Sequence, residues 1–259
     1  MTADRTALVA LAARLAEVAR PLILEHYRAP LEVERKSDAS PVTVADRAAE
    51  AAMRRLIEAT FPDHGILGEE YGAVRADQRH VWVLDPIDGT KAFITGKPLF
   101  GTLIACCEEG VPVVGVIDMP ALGERWIGAD DRGATLDGRP VRARACPDLG
   151  EALMYSTSPD MFHGADAERH RRLASSVRHA LYGADCYAYA LVAGGWSDLV
   201  VEASLQPYDY CACAAVIAAA GGVMTDWQGR PVRIDSGSQV LAAGDPALVA
   251  AAVSRLQGA

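Results

Sequence analysis

Three short segments of this chain gather carboxylates beside turn-forming residues: Gly68-Glu69-Glu70-Tyr71-Gly72, Asp85-Pro86-Ile87-Asp88-Gly89-Thr90 and Gln206-Pro207-Tyr208-Asp209-Tyr210. The second is the most informative. It follows the apolar run Val81-Trp82-Val83-Leu84, so a buried strand ends by throwing Asp85 and Asp88 into one tight turn, three residues apart. Pro86 fixes its own φ, and Gly89 lets a ligand approach the backbone closely. Should Thr90 open a helical turn, the amides of Gly89 and Thr90 are free to hold a phosphate oxygen. Two ionised carboxylates about 4 Å apart repel by roughly 4 kcal/mol at an effective dielectric of about 20. A hard divalent cation removes that cost and prefers oxygen ligands, which is what the turn offers. Each segment also has a plain structural explanation. Asp-Pro and Asp-Gly are turn formers, Glu69 and Glu70 fit a solvated acidic loop, and Asp209 fits a helix N-cap. The histidines His26, His64, His80, His163, His170 and His179 show no metal-ligand spacing and read as surface or packing residues.

The elements that must position these residues are read from periodicity. Leu8, Leu11, Leu15, Val18, Leu22 and Ile23 recur at helical spacing and predict an amphipathic helix over about residues 3–28, with Pro30 soon after. Thr43-Val44-Ala45-Asp46 is a capping-box-like start to a second helix, which runs through Met53, Leu56 and Ile57 and stops at Phe61-Pro62-Asp63-His64-Gly65. Strands are expected at 81–84, 102–107, 113–117 and 125–129, with turn residues such as Glu109-Gly110 and Leu122-Gly123 between them. Residues 130–138 read as a loop before Pro140-Val141. The pattern is an antiparallel meander stacked against the two opening helices. Beyond residue 150 it alternates: strand 153–157, helix 165–179, helix 186–193, strand 199–201, helix 210–220, strand 239–242 and helix 246–256. An α+β half over 1–148 followed by an α/β half over 149–259 is the expected organisation.

The 259 residues carry 25 basic and 34 acidic side chains, a net charge of −9, which argues against nucleic acid or an anionic membrane as the main partner. A small anionic substrate remains compatible if a bound cation supplies a local positive field. The opening segment is interrupted by Asp4, Arg5, Arg14, Glu17, Arg20 and Glu25, so neither a membrane span nor a signal peptide is expected, and cytoplasm is the default location. The cysteines Cys106, Cys107, Cys146, Cys186, Cys211 and Cys213 contain no C-x-x-C pair and read as reduced packing residues. No glycine fingerprint follows a strand, which excludes a P-loop or Rossmann site.

Taken together and in this order, the three acidic segments resemble the inositol monophosphatase superfamily of Mg²⁺-dependent, lithium-sensitive phosphatases. Gly68-Glu69-Glu70 looks like the first metal motif of that superfamily. Trp82 to Thr90 is similar to its W-[VI]-[LIV]-D-P-[IL]-D-G-T signature, and Asp209 matches its W-D aspartate, with Tyr208 in place of the usual Trp. Weaker similarity runs from about Arg20 to Asp245. The resemblance implies a layered αβαβα sandwich and two or three Mg²⁺ ions held by Glu69, Asp85, the main-chain carbonyl of Ile87, Asp88 and Asp209. It implies that Glu69 and Thr90 orient a water for in-line attack on phosphorus, with phosphate on the amides of Gly89 and Thr90 and no covalent intermediate. Lys36 matches a lysine near the metals and Asp46 an acid supporting Thr90. A solvated charge or a helix cap would account for each as well. Relatives are commonly homodimers. A catalytically dead relative acting as a scaffold would lack part of the ligand set, and here no ligand position is missing.

For substrate, the resemblance leaves three branches: inositol phosphate, 3′-phosphoadenosine 5′-phosphate and histidinol phosphate. Asp88-Gly89-Thr90-Lys91-Ala92-Phe93 departs from the D-G-T-x-N-F common among inositol phosphatases. Residues 99–104, 183–189 and 198–209 look closest to histidinol-phosphate phosphatases. Histidinol phosphate carries an ammonium and an imidazole, so its pocket should offer carboxylates, for which Asp185 and Glu202 are the candidates. Glu202 also matches an acid that binds hydroxyls in the inositol branch. Asp185 discriminates better, although it could equally cap the following helix.

Overall fold

The computed structural model describes residues 4–29, 34–35, 41–42 and 44–258. In chain order these form α1 (Arg5–Leu24), β1 (Glu34–Arg35), β2 (Pro41–Val42), α2 (Val44–Thr60), β3 (Gly65–Gly68), β4 (Gly72–Val74) and β5 (His80–Asp88). Then come α3 (Thr90–Ile94), β6 (Gly101–Glu108), β7 (Val111–Met119), β8 (Glu124–Ala129), β9 (Gly133–Leu136) and β10 (Arg139–Val141). The second part holds β11 (Leu153–Ser156), α4 (Ala165–Ala174), β12 (His179–Tyr182), α5 (Tyr187–Ala193), β13 (Leu199–Glu202) and α6 (Pro207–Ala219). It ends with β14 (Val223–Thr225), β15 (Val240–Ala243) and α7 (Leu248–Gln257).

Period-2 side-chain alternation builds the layers. An eight-stranded sheet runs β10-β9-β8-β7-β6-β5-β3-β4, antiparallel except where β3 pairs parallel with β5. From β5, Trp82 and Leu84 face a core with Leu8, Leu11 and Leu15 of α1 and Met53 and Ile57 of α2. Val81 and Val83 face the opposite core, formed with α5, α6 and the inner face of a five-stranded sheet, β12-β11-β13-β15-β14. In that second sheet Val200 joins the central core, whereas Leu199 and Val201 face α4 and α7 with Leu173, Leu248 and Leu256. The result is five layers, αβαβα, as expected. All six cysteines are buried and free. Cys106 and Cys107 point into different cores, which separates the two thiols.

Helix α6 lies between the two sheets, buried all round from Tyr210 to Ile217, and this requires its small side chains. A Cβ on Gly115 of β7 would sit 2.3 Å from the Ala212 carbonyl oxygen of α6. Among the described residues no helix is long and apolar enough to cross a membrane.

Three expectations need correction. The first helix ends at Leu24 instead of continuing to 28, because Tyr27 and Arg28 turn back and both donate to the Gly96 carbonyl. The segment 130–138 contains a strand, β9, which pairs with β8 and β10. Asp137 and Gly138 form the tight turn into β10 with φ of 48° and 76°, the Asp-Gly hairpin chemistry that marks such a pair. The helix expected over 165–179 stops at Ala174. Ser175 and Ser176 both donate their hydroxyls to the Arg172 carbonyl, and β12 then pairs parallel with β11.

Candidate metal centre

The three acidic segments meet at one end of the central strands. Asp85 and Asp88 close β5, where its pairing with β6 shifts register. Thr102 secures the turn by donating its hydroxyl to the Pro86 carbonyl at 2.8 Å. Asp209 comes from the first turn of α6, 121 residues away by numbering (209 − 88). It is not the N-cap: Gln206 holds that position, and Asp209 reaches back so that its Oδ2 accepts from the Gln206 amide at 2.7 Å. One carboxylate oxygen from each of Asp85, Asp88 and Asp209 lies within 4.8 Å of the other two.

Nothing basic neutralises this trio among the described ion pairs. Asp85 is 2% exposed, and its Oδ1 has no hydrogen-bond partner among the described residues. Its carboxyl is held well above the usual range, first by burial and then by the charges of Glu69, Asp88, Asp209 and Asp46. Burial, then Asp209 and Asp185, likewise push Asp88 well up, against the Cys186 amide, which donates to Asp88 Oδ2 at 2.8 Å. Asp209 rises to about 7, through burial and the charges of Glu69 and Glu202, with the Gln206 amide opposing. An orphaned buried oxygen in a group of hard donors, with no counter-charge among the described residues, fits a divalent cation.

Glu69, Asp46, Asp185 and Glu202 lie close enough to act on the charges of the trio. Glu69 follows β3, its amide donating to the Leu84 carbonyl at 3.2 Å. Asp46 is buried in the first turn of α2. Ile87 is buried, and its carbonyl accepts from the Thr90 hydroxyl at 3.3 Å. Gly89 precedes α3 with φ of 81°, a left-handed conformation that glycine adopts without strain. A Cβ there would stand 3.2 Å from both the Asp185 Cβ and the Leu99 carbonyl oxygen, so Asp185 lies directly against the turn. Asp185 itself has φ of 47°; burial raises its pKa while Lys97 and Lys91 pull it back. Glu202 ends β13, 3% exposed, accepting from the Thr157 amide at 2.8 Å and the Tyr189 hydroxyl at 2.7 Å. Lys36 lies outside the described residues.

Sequence reasoning missed the supports. The Cys186 amide and the Tyr189 hydroxyl reach the site across 98 and 13 residues, a closure that no local pattern announces. Glu50 also escaped notice, although its place four residues after Asp46 puts it on the same helix face.

A five-layer αβαβα sandwich with converging aspartates at a strand end defines a class of metal-dependent hydrolase folds. The chain belongs to the inositol monophosphatase family of Mg²⁺-dependent phosphatases, whose profile matches residues 4–257. Over 230 residues it is 46% identical to the bifunctional phosphatase IMPL2, chloroplastic, of Arabidopsis thaliana, covering 88% of this chain and 66% of that protein. It therefore spans just under two thirds of that relative. It is 39% identical over 232 residues to a histidinol-phosphatase of Chlorobaculum parvum, covering 87% of this chain and 88% of that one. The solved structure of an inositol monophosphatase from Zymomonas mobilis superposes with a TM-score of 0.89 at 45% identity, covering 96% and 97% of the two chains.

Proposed function

We propose that this phosphatase hydrolyses L-histidinol phosphate to L-histidinol and phosphate, using Glu69, Asp85, the Ile87 carbonyl, Asp88 and Asp209 to hold two or three Mg²⁺ ions. When bound, Mg²⁺ acidifies water and neutralises charge developing on phosphate oxygens. The residues of the chain supply the rest. The amides of Gly89 and Thr90 receive a phosphate oxygen, and the Thr90 hydroxyl and Glu69 orient the attacking water, with Asp46 supporting Thr90.

The substrate reading rests on one observation: the Asp185 carboxylate lies beside Gly89, next to where phosphate would sit. There it can receive a substrate ammonium in a charge-assisted bond. Lys97, which donates to the Gly183 carbonyl, and Lys91 set the competition such an ammonium must win. Similarity to the histidinol-phosphatase of Chlorobaculum parvum supports the same choice. A second reading, an inositol phosphate whose hydroxyls meet Glu202, is favoured by the 45% identity to the inositol monophosphatase of Zymomonas mobilis.

Phosphate release from histidinol phosphate, inositol 1-phosphate and adenosine 3′,5′-bisphosphate, assayed side by side with Mg²⁺, decides between them. The expected result is a kcat/KM for histidinol phosphate at least ~10-fold above the others, with Asp185→Ala raising its KM and leaving that for inositol 1-phosphate unchanged. Equal KM effects on both substrates would remove the ammonium contact.

A further inference from the structure

Glu50 is a carboxylate with no exposure at all, in the middle of α2. Burying such a charge costs several kcal/mol unless its partners are well placed. They are. Its Oε2 accepts from the Glu70 amide at 2.7 Å, and its Oε1 accepts from the Tyr71 amide at 3.2 Å and from Arg54 Nε at 2.7 Å. Arg54 continues outward, donating through Nη2 to the Gly72 carbonyl, and its guanidinium lies 5.8 Å from the centre of the Tyr71 ring. Space for this hook exists because residue 68 lacks a side chain: a Cβ there would fall 2.0 Å from Glu50 Oε1 and 2.8 Å from Arg54 Nη2.

With the Glu69 amide on the Leu84 carbonyl, three consecutive amides, 69, 70 and 71, are tied down. The backbone dihedrals on both sides of Glu69 are then fixed, and with them the direction of its Cα–Cβ bond. Asp46, Glu50 and Arg54 are spaced four apart on α2, so one helix face brings Asp46 to the carboxylate cluster and the Glu50–Arg54 hook to the loop.

We infer that Glu50 is a positioning residue for the metal centre: its buried carboxylate holds the loop at residues 69–72 so that Glu69 is aimed at the aspartate cluster. The inference rests on Glu69 being a metal ligand. A neutral polar side chain could staple the loop for stability alone, but it could not accept from both amides and Arg54 while donating nothing. In Glu50→Gln one acceptor oxygen becomes an NH₂ group, and a loop amide faces a donor.

The test titrates chelated protein with Mn²⁺ in the absence of substrate, reading free Mn²⁺ by electron paramagnetic resonance, and separately measures the Mg²⁺ concentration for half-maximal phosphate release. Glu50→Gln, folded by circular dichroism, is expected to lose roughly 10-fold in Mn²⁺ affinity and to need roughly 10-fold more Mg²⁺, the usual effect of removing an outer-shell support. Its KM at saturating Mg²⁺ stays unchanged. Glu69→Gln shows at least the same loss, and the double variant binds Mn²⁺ no more weakly than Glu69→Gln alone. Arg54→Lys, which keeps the charge but loses the reach to Gly72, gives a smaller shift in the same direction and serves if Glu50→Gln does not fold. Lower thermal stability with wild-type Mn²⁺ affinity in Glu50→Gln overturns the inference, as does wild-type affinity in Arg54→Lys when Glu50→Gln is unfolded. Wild-type affinity in Glu69→Gln as well overturns the ligand reading beneath it.

Discussion

Burial acts on Asp85, Asp88 and Asp209 before any neighbour does, and the charges of nearby carboxylates add to it. Without a cation the fold therefore favours their protonated forms. A carboxyl whose folded pKa is raised above the unfolded value of about 3.9 contributes stability at low pH and loses it as pH rises through the folded value. For Asp209 that value is about 7. His64 runs the other way: burial and His80 lower its pKa to about 4, so its contribution is lost only as pH falls below the unfolded value of about 6.5. Between pH 6.5 and 8.5 the unfolded forms of His64, His80 and His170 finish losing protons and those of the buried cysteines begin to, so the Asp209 contribution is read as the difference between wild type and Asp209→Asn. In chelator, the melting temperature of wild type should fall relative to that of Asp209→Asn across that window, and the rise of the wild type on adding Mg²⁺ should be larger at pH 8.5 than at 6.5. A difference between the two proteins that stays constant in chelator would contradict the raised carboxyl of Asp209. The Asp85–Asp88 turn was legible in the sequence because both its carboxylates and its turn chemistry are local. The orientation of Asp88 was not, since the Cys186 amide that fixes it comes from 98 residues further along the chain.

Elements carry the cluster together, and α6 carries the carboxylate most distant in sequence. Its Ala-rich stretch was readable as a helix, yet its start was misplaced by three residues, from 210 to Pro207, because the capping role was given to Asp209 instead of Gln206. The strands β9 and β12 were missed for different reasons. An Asp-Gly hairpin turn was overlooked in the first, and in the second a polar helix pattern was continued past the serines that end it. How tightly α6 sits on the sheet is invisible to periodicity, since it depends on Gly115 meeting the Ala212 carbonyl across the layers. Gly115→Ala forces the helix outward and should cost roughly 1–3 kcal/mol, the usual range for overpacking. Urea denaturation reads that cost. The same variant should need more Mg²⁺ for half-maximal activity, because Asp209 moves with the helix. An unchanged denaturation midpoint would show that the layers yield without moving α6.

At the scale of the whole molecule, two sheets and three helical layers bring residues 85, 88 and 209 to one point. The run 81–84 was legible as a buried strand, but its division between two cores, Trp82 and Leu84 in one and Val81 and Val83 in the other, was not, and the five-layer order came from the family resemblance. Convergence of the acidic segments could not be read from spacing alone and came from their resemblance to a family pattern. The cores give that convergence its rigidity: Asp85 and Asp88 end a strand whose first eight residues are buried, and the helix of Asp209 is enclosed on both sides. Like charges held this close need a cation more than they need any one substrate. The measurement that meets this claim most directly is Mn²⁺ binding to chelated wild-type protein and to Asp88→Asn, followed by electron paramagnetic resonance. Wild type should bind Mn²⁺, and Asp88→Asn, still folded, should bind it at least roughly 10–100-fold more weakly, no less than the loss seen for outer-shell supports. Equal affinity in the two proteins would mean that the aspartates converge without holding a metal.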